Sequence, residues 1–263
     1  MMRRADWLTP GFLYFVAVLA LLFLPILLLI IFSFNDATNL AFPLRGFTLR
    51  HYAGLLDNRE MLRALHTSIL LGLGSSLIST LLGGMGAIAL ARFNFPGRDF
   101  FTALATLPLV IPYVILGVSL LILFNEVGLG LSAWAAGVAH VVISVPYAML
   151  IVAARLAGFP GNLEEAAMDL GSNYWSALLR VTLPISLPAL LAAFLISFTI
   201  SFDEFAISNF LVGTQPTLPV YLYSQLRFPT RLPLVVALSA LLMVGTMLLM
   251  VFAEWLRRLG QDP

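Results

Sequence analysis

The feature that most limits this chain is a set of six long apolar runs, each bounded by charge or by turn residues. They extend roughly from Gly11 to Phe34, Thr67 to Ala91, Phe100 to Phe124, Leu131 to Arg155, Leu183 to Phe210 and Leu232 to Trp255. A helix crossing about 30 Å of hydrocarbon needs roughly 20 mostly apolar residues, so every run is long enough to span a bilayer. The spacing predicts an all-α polytopic membrane protein with six transmembrane helices. Composition agrees: hydrophobic residues make up 60% and charged residues 10% of 263, too little polar surface to cover a water-soluble domain.

Residue usage excludes several kinds of chemistry. Cysteine is absent, which removes disulfide frameworks, thiolate catalysis and Cys-based zinc or iron–sulfur sites. All fourteen basic residues are Arg, which excludes a phosphate-binding loop ending in Lys, a Schiff-base Lys and a protein-kinase site. Nucleotide chemistry therefore belongs to another chain. A net charge of +1 gives no electrostatic footprint for nucleic acid. His51, His66 and His140 are scattered, so no metal site is expected, and no cluster of His, Asp and Ser within the spans suggests an enzyme.

The first run follows Arg3 and Arg4 but is too long for a signal-peptide core and lacks a small-residue cleavage site, so it reads as a retained anchor. Six spans put both termini on one side, and Arg3, Arg4, Arg257 and Arg258 place that side in the cytoplasm. Arg92 and Arg98, in the short loop after the second span, agree; Arg227 and Arg231, before the sixth, do not. In the second span, Gly72, Ser76, Thr80 and Gly84 lie beside Ser75, Ser79, Gly83, Ala87 and Ala91. These two slim stripes suit close helix packing, within the chain or against a second subunit. Pro108, Pro112 and Pro146 should kink their helices. The absence of an internal repeat and of a mid-membrane acid in spans 1, 2, 3 and 6 argues against an ion-coupled secondary carrier.

The segment from Phe159 to Pro184 is polar and helix-forming in an otherwise apolar chain. Asn162 can cap a helix with Glu165 reaching back, Gly171 suits a left-handed terminus, and Ser172 can cap a second helix that runs to Leu183 and stops near Pro184. Ala166 and Ala167 keep one surface slim, while Glu165 and Asp169, at i and i+4, form a carboxylate edge. Spacing alone leaves two readings open: a solvated amphipathic loop, or a segment that docks on a partner.

The same segment carries a resemblance. Glu165-Ala166-Ala167, then Gly171, then Val181-Thr182-Leu183-Pro184 is similar to the signature of binding-protein-dependent ABC importer permeases, with Val181 where the family has Ile. The resemblance covers nearly the whole chain and is nearest to the spermidine/putrescine branch. It includes Gly46-Phe47-Thr48-Leu49 with Tyr52, Ala91-Arg92-Phe93, Phe95-Pro96-Gly97-Arg98, and the run from Ser197 to Phe205. Glu204 stands where Asp is common, and Arg231 is an intrusion before Pro233. The resemblance implies a type I (MetI-like) permease fold occupying residues 1–263 as one transmembrane domain, with 159–184 as the cytoplasmic coupling segment. It implies that Glu165, Ala166, Ala167, Asp169, Gly171, Leu183 and Pro184 couple to a dimer of ATP-binding subunits. ATP and Mg would be bound there, leaving this chain without a cofactor or catalytic residue. The other implied partners are a second homologous permease and a periplasmic substrate-binding protein, in a bacterial inner membrane. Another small solute, such as an aminophosphonate, is the alternative cargo.

Two adjacent acids, Asp203 and Glu204, are costly near a membrane helix unless they face water, a partner or a cation. About 100° separates neighbours on a helix, so one of the two is expected to face a pathway. They are candidates for substrate contact; the alternative is local capping or pairing, with Arg227 or Arg231 as partners for Asp203. Tyr147 and His140, two turns apart, can share a pathway-lining face, although for His140 a buried hydrogen-bonding role is the alternative.

Overall fold

The computed structural model describes residues 9–37, 41–159 and 162–259. Arg3, Arg4 and the side chain of Arg257 lie outside these, as do residues 160 and 161. The described residues are helical apart from loops and one isolated bridge between Asn35 and Phe47. Among the described residues five helices are long and apolar enough to cross a membrane, and a bent helix pair supplies a sixth crossing if it counts as one span.

Helix α1 (Pro10–Ser33) starts where the Thr9 hydroxyl accepts from Phe12 N–H at 3.3 Å and Pro10 fills the first turn, a position where its missing N–H costs nothing. It is apolar on every side, and none of its residues is buried except Ser33 at its end. A short helix α2 (Arg50–Leu56) follows, then α3 (Arg59–Arg92), which at 34 residues rises about 51 Å and so overshoots the expected span at its start.

The third span departs most from expectation. Helix α4 (Arg98–Thr106) tightens into a 3₁₀ turn at Leu107–Leu109, and α5 (Tyr113–Glu126) leaves at 104° to it. Pro108 and Pro112 therefore break the helix where a kink was expected. Pro112 lacks an N–H and drives Ile111 out of the helical region, so the chain cannot continue straight. At 14 residues, α5 rises about 21 Å, short of a full crossing by itself. Helix α6 (Ala133–Ala157), capped by Ser132, instead runs unbroken through a buried Pro146.

Two short helices, α7 (Asn162–Asp169) and α8 (Tyr174–Ala177), precede α9 (Leu183–Asp203). The chain continues through α10 (Ser208–Leu211), α11 (Leu218–Gln225) and α12 (Leu232–Leu259).

The fold divides into two compact units, Met1–Arg59 with Leu222–Gly245 and Glu60–Tyr221 with Thr246–Pro263. In the first, the end of α1 is tied to α2: Ser33 and Tyr52 hydroxyls lie 2.6 Å apart, and Arg50 pairs with Asp36, just after α1, at 2.7 Å. In the second, the slim stripes of α3 are used within the chain. A Cβ on Gly83 would lie 2.7 Å from Ala148 Cβ and from Met149 N, and one on Gly72 would lie 2.9 Å from the Phe198 ring. Helices α6 and α9 thus approach α3 at glycine distance, which suits lipid, where packing rather than water exclusion drives association. Among the described residues, apolar clusters form around Ile143 and Leu211 and around Met149 and Val152.

Candidate functional site

The segment between α6 and α9 is built as helix, glycine turn, helix. Gly171 has φ +93°. Its N–H donates to Met168 O at 2.8 Å, while Ser172 N–H reaches Ala167 O at 3.0 Å. This pair of bonds closes the end of α7 and requires a residue without Cβ strain at Gly171. The second cap falls one residue later than expected: Asn173, not Ser172, accepts from Ser176 N–H at 2.8 Å. Asn162 stands as the first helical residue of α7.

The expected stop at Leu183 and Pro184 is also absent. From Leu178 to Thr182 the backbone makes one wider π turn and runs on into α9, so Tyr174 to Asp203 forms one continuous span. A wider turn accommodates a proline because it relieves the clash between the ring and the preceding turn's carbonyl.

Glu165, Ala166 and Asp169 are exposed on α7, and Ala167 is half-buried. Beside them Leu170 is 90% and Trp175 69% exposed. Leu183 and Pro184 are exposed at the start of α9. Slim helix, acidic edge and uncovered apolar side chains make a surface fit to seat against a protein partner.

The neighbouring acid, Glu164, points the other way. It is buried, and its Oε1 accepts from Arg92 Nε at 2.8 Å and from Thr182 Oγ1 at 2.6 Å. Burial pushes this carboxyl up, but the bonds from Thr182 and its own backbone N–H, with the charge of Arg92, outweigh that and hold it below its ordinary value. The sequence signature singles out Glu165 and gives no link from Glu164 to Arg92 and Thr182. The signal for an inward Glu164 was present: neighbours on a helix point about 100° apart, so an outward Glu165 turns Glu164 inward.

Asp203 and Glu204 separate in the same manner. Asp203, the last residue of α9, is exposed. Glu204 is 5% exposed and is fully engaged: Oε1 accepts from Ile207 N–H at 2.7 Å and Oε2 from Ser208 N–H at 2.8 Å, with His140 Nε2 3.3 Å from Oε2. Glu204 therefore caps the turn into α10, with both oxygens bonded within the fold. His140 is wholly buried, with Nδ1 2.6 Å from Ser201 Oγ and Nε2 2.9 Å from Ser208 Oγ. Ser75 Oγ donates to Ser201 Oγ at 2.8 Å, which extends the network to α3. His140 is thus a structural hydrogen-bonding residue. Tyr147, two turns along α6, is half-buried and lies close to Tyr113, the first residue of α5 after the break. Arg231 donates to Gln225 and lies over the Phe228 ring.

Comparison with known proteins agrees with this architecture. The profile of the family described as binding-protein-dependent transport system inner membrane component matches residues 79–259. The spermidine/putrescine transport system permease protein PotC of Escherichia coli K12 is 31% identical over 246 residues, covering 93% of this chain and 92% of that protein. The putrescine transport system permease protein PotI of the same strain is 33% identical over 243 residues, covering 89% and 85%. Among solved structures, a bacterial alginate ABC transporter in complex with pentasaccharide-bound periplasmic protein superimposes with a TM-score of 0.74 at 18% identity, covering 98% and 96% of the two chains. The match spans the second half of α3, the broken helix pair, the α7–α8 segment and the closing helix. The chain accordingly belongs to the binding-protein-dependent transport system inner membrane components, the permease subunits of ABC importers.

Proposed function

We propose that this chain is the permease of a polyamine importer, forming a pathway for spermidine or putrescine with a second, homologous permease. A periplasmic binding protein delivers the solute, and a dimer of ATP-binding subunits, holding ATP and Mg, supplies the energy. The observation that carries the reading is near-complete alignment with a spermidine/putrescine permease, 93% of this chain at 31% identity. The α7–α8 surface is the docking site for an ATP-binding subunit, with Glu165, Ala166, Ala167 and Asp169 at its edge and Gly171 shaping its turn. Leu183 and Pro184 carry it on as the first residues of α9.

In this reading the bent α4–α5 pair is one of six crossings, so the N- and C-terminal ends face the same side as the turn between Arg92 and Arg98 and α7–α8. That side is the cytoplasm, as the positive charges suggest. Asp203 is the carboxylate available to a polycation in the pathway, with Tyr147 a second lining candidate. Glu204 supports the backbone behind Asp203.

The test is ATP-dependent uptake of labelled spermidine and putrescine by vesicles holding the full complex. Uptake that falls with Asp203→Asn while the ATPase stays assembled supports the reading. No uptake of either polyamine by an assembled, ATP-hydrolysing complex overturns the cargo assignment.

A further inference from the structure

The Glu164 site joins three elements that the sequence keeps far apart. Arg92 closes α3, Glu164 lies in the first turn of α7, and Thr182 sits in the π turn that leads into α9. Both donors converge on one atom, Glu164 Oε1, at 2.8 and 2.6 Å. The other oxygen, Oε2, is buried without a partner. The pair is well desolvated, with the Arg92 and Glu164 side chains 14% and 9% exposed.

Nearby contacts lead to the same ends. Phe93 packs edge-on against Tyr174 with ring centres 5.9 Å apart, and Arg155, in the last turn of α6, donates to Ile185 O at 3.1 Å. An apolar contact would hold α7 here about as well as an ion pair, because burying charge is costly. What the charge-assisted bonds add is direction. Two donors from different elements meet on one oxygen, so a single carboxylate fixes α7 both to the end of α3 and to the turn that leads into α9.

We propose that Glu164, held by Arg92 and Thr182, is the pivot through which movement of α7 carries the ends of α3 and α9 as one body. All three are then positioning residues for transport. This rests on the reading of α7–α8 as the ATPase-docking segment.

The chain has no Cys, so spin labels can be placed without background. Asn94→Cys and Asn162→Cys, both exposed, report the distance between the end of α3 and α7 in the full complex, without nucleotide and with a non-hydrolysable ATP analogue. The parent should give one distance in both states, because the two ends move together. Glu164→Gln and Thr182→Val should give a distance that changes on nucleotide binding, and Thr182→Ser should restore the parent behaviour. A merely structural clamp would instead widen the distribution equally with and without nucleotide. That outcome overturns the proposal, as does an unchanged distance in both variants or failure of both to assemble with the ATPase. If the ATPase does not co-purify with the labelled parent, the docking reading itself fails, and that result is separate from failure of the pivot.

Discussion

Replacing Glu204 should destabilise the protein, whereas replacing Asp203 beside it should not. In Glu204→Gln one acceptor oxygen becomes an NH₂ group facing a backbone N–H, either that of Ile207 at 2.7 Å or that of Ser208 at 2.8 Å. One buried donor then loses its partner, at a cost of about 1–3 kcal/mol, and the charge that strengthened both bonds is gone. Asp203 is exposed, so Asp203→Asn should stay within about 0.5 kcal/mol of the parent. Denaturant titration in detergent micelles, followed by fluorescence of the four Trp residues, measures both. Uptake should fall in Asp203→Asn without loss of folded protein, and in Glu204→Gln in proportion to folded protein. Equal unfolding midpoints for the two variants would refute the capping role and return Glu204 to the pathway.

Gly171→Val forces a β-branched residue into φ +93°, which should cost about 1–2 kcal/mol locally. It should abolish uptake by the complex while the isolated ATPase still hydrolyses ATP. Gly83→Ala places a methyl 2.7 Å from rigid α6 backbone and should lower stability by about 1–3 kcal/mol in the same titration. Gly74→Ala meets nothing within 4 Å and should be neutral or stabilising by up to about 1 kcal/mol. Because the Glu164 carboxyl is held below its ordinary value of 4.5, its contribution is complete above that pH and is lost as pH falls through the lower folded value. Glu164→Gln should therefore remove part of the acid loss of stability, read as a shallower fall of the unfolding midpoint below pH 4.5.

The spans were legible because apolar length is a local property, and Gly171 was legible because its left-handed turn demands glycine. Local rules failed where the outcome depends on distant partners. Glu204 and Asp203 look alike in sequence, and only the fold brings His140 and two backbone N–H groups to one of them. The inward turn of Glu164 follows from local spacing, but its partner does not, since Arg92 comes from another helix. At Pro184 the usual rule for where helices stop forecast an end to the helix, but the chain absorbed the proline by widening a turn. At Pro108 and Pro112 the rule was right in kind and too weak in degree, because two breakers one turn apart give a corner of 104°.

The wide turn at Leu178–Thr182 also sets angular phase. One residue added to an α-helix advances every later side chain by about 100°, and a π turn holds about that excess. Side chains of α8 and α9 thus follow two separate helical wheels, offset like gears keyed differently on one shaft. Removing a single residue from the turn would rotate the whole of α9 against α8 by roughly a quarter revolution. The outward face of Trp175 would then no longer match the inward faces of Ser197 and Ser201, although every residue of both helices would be unchanged.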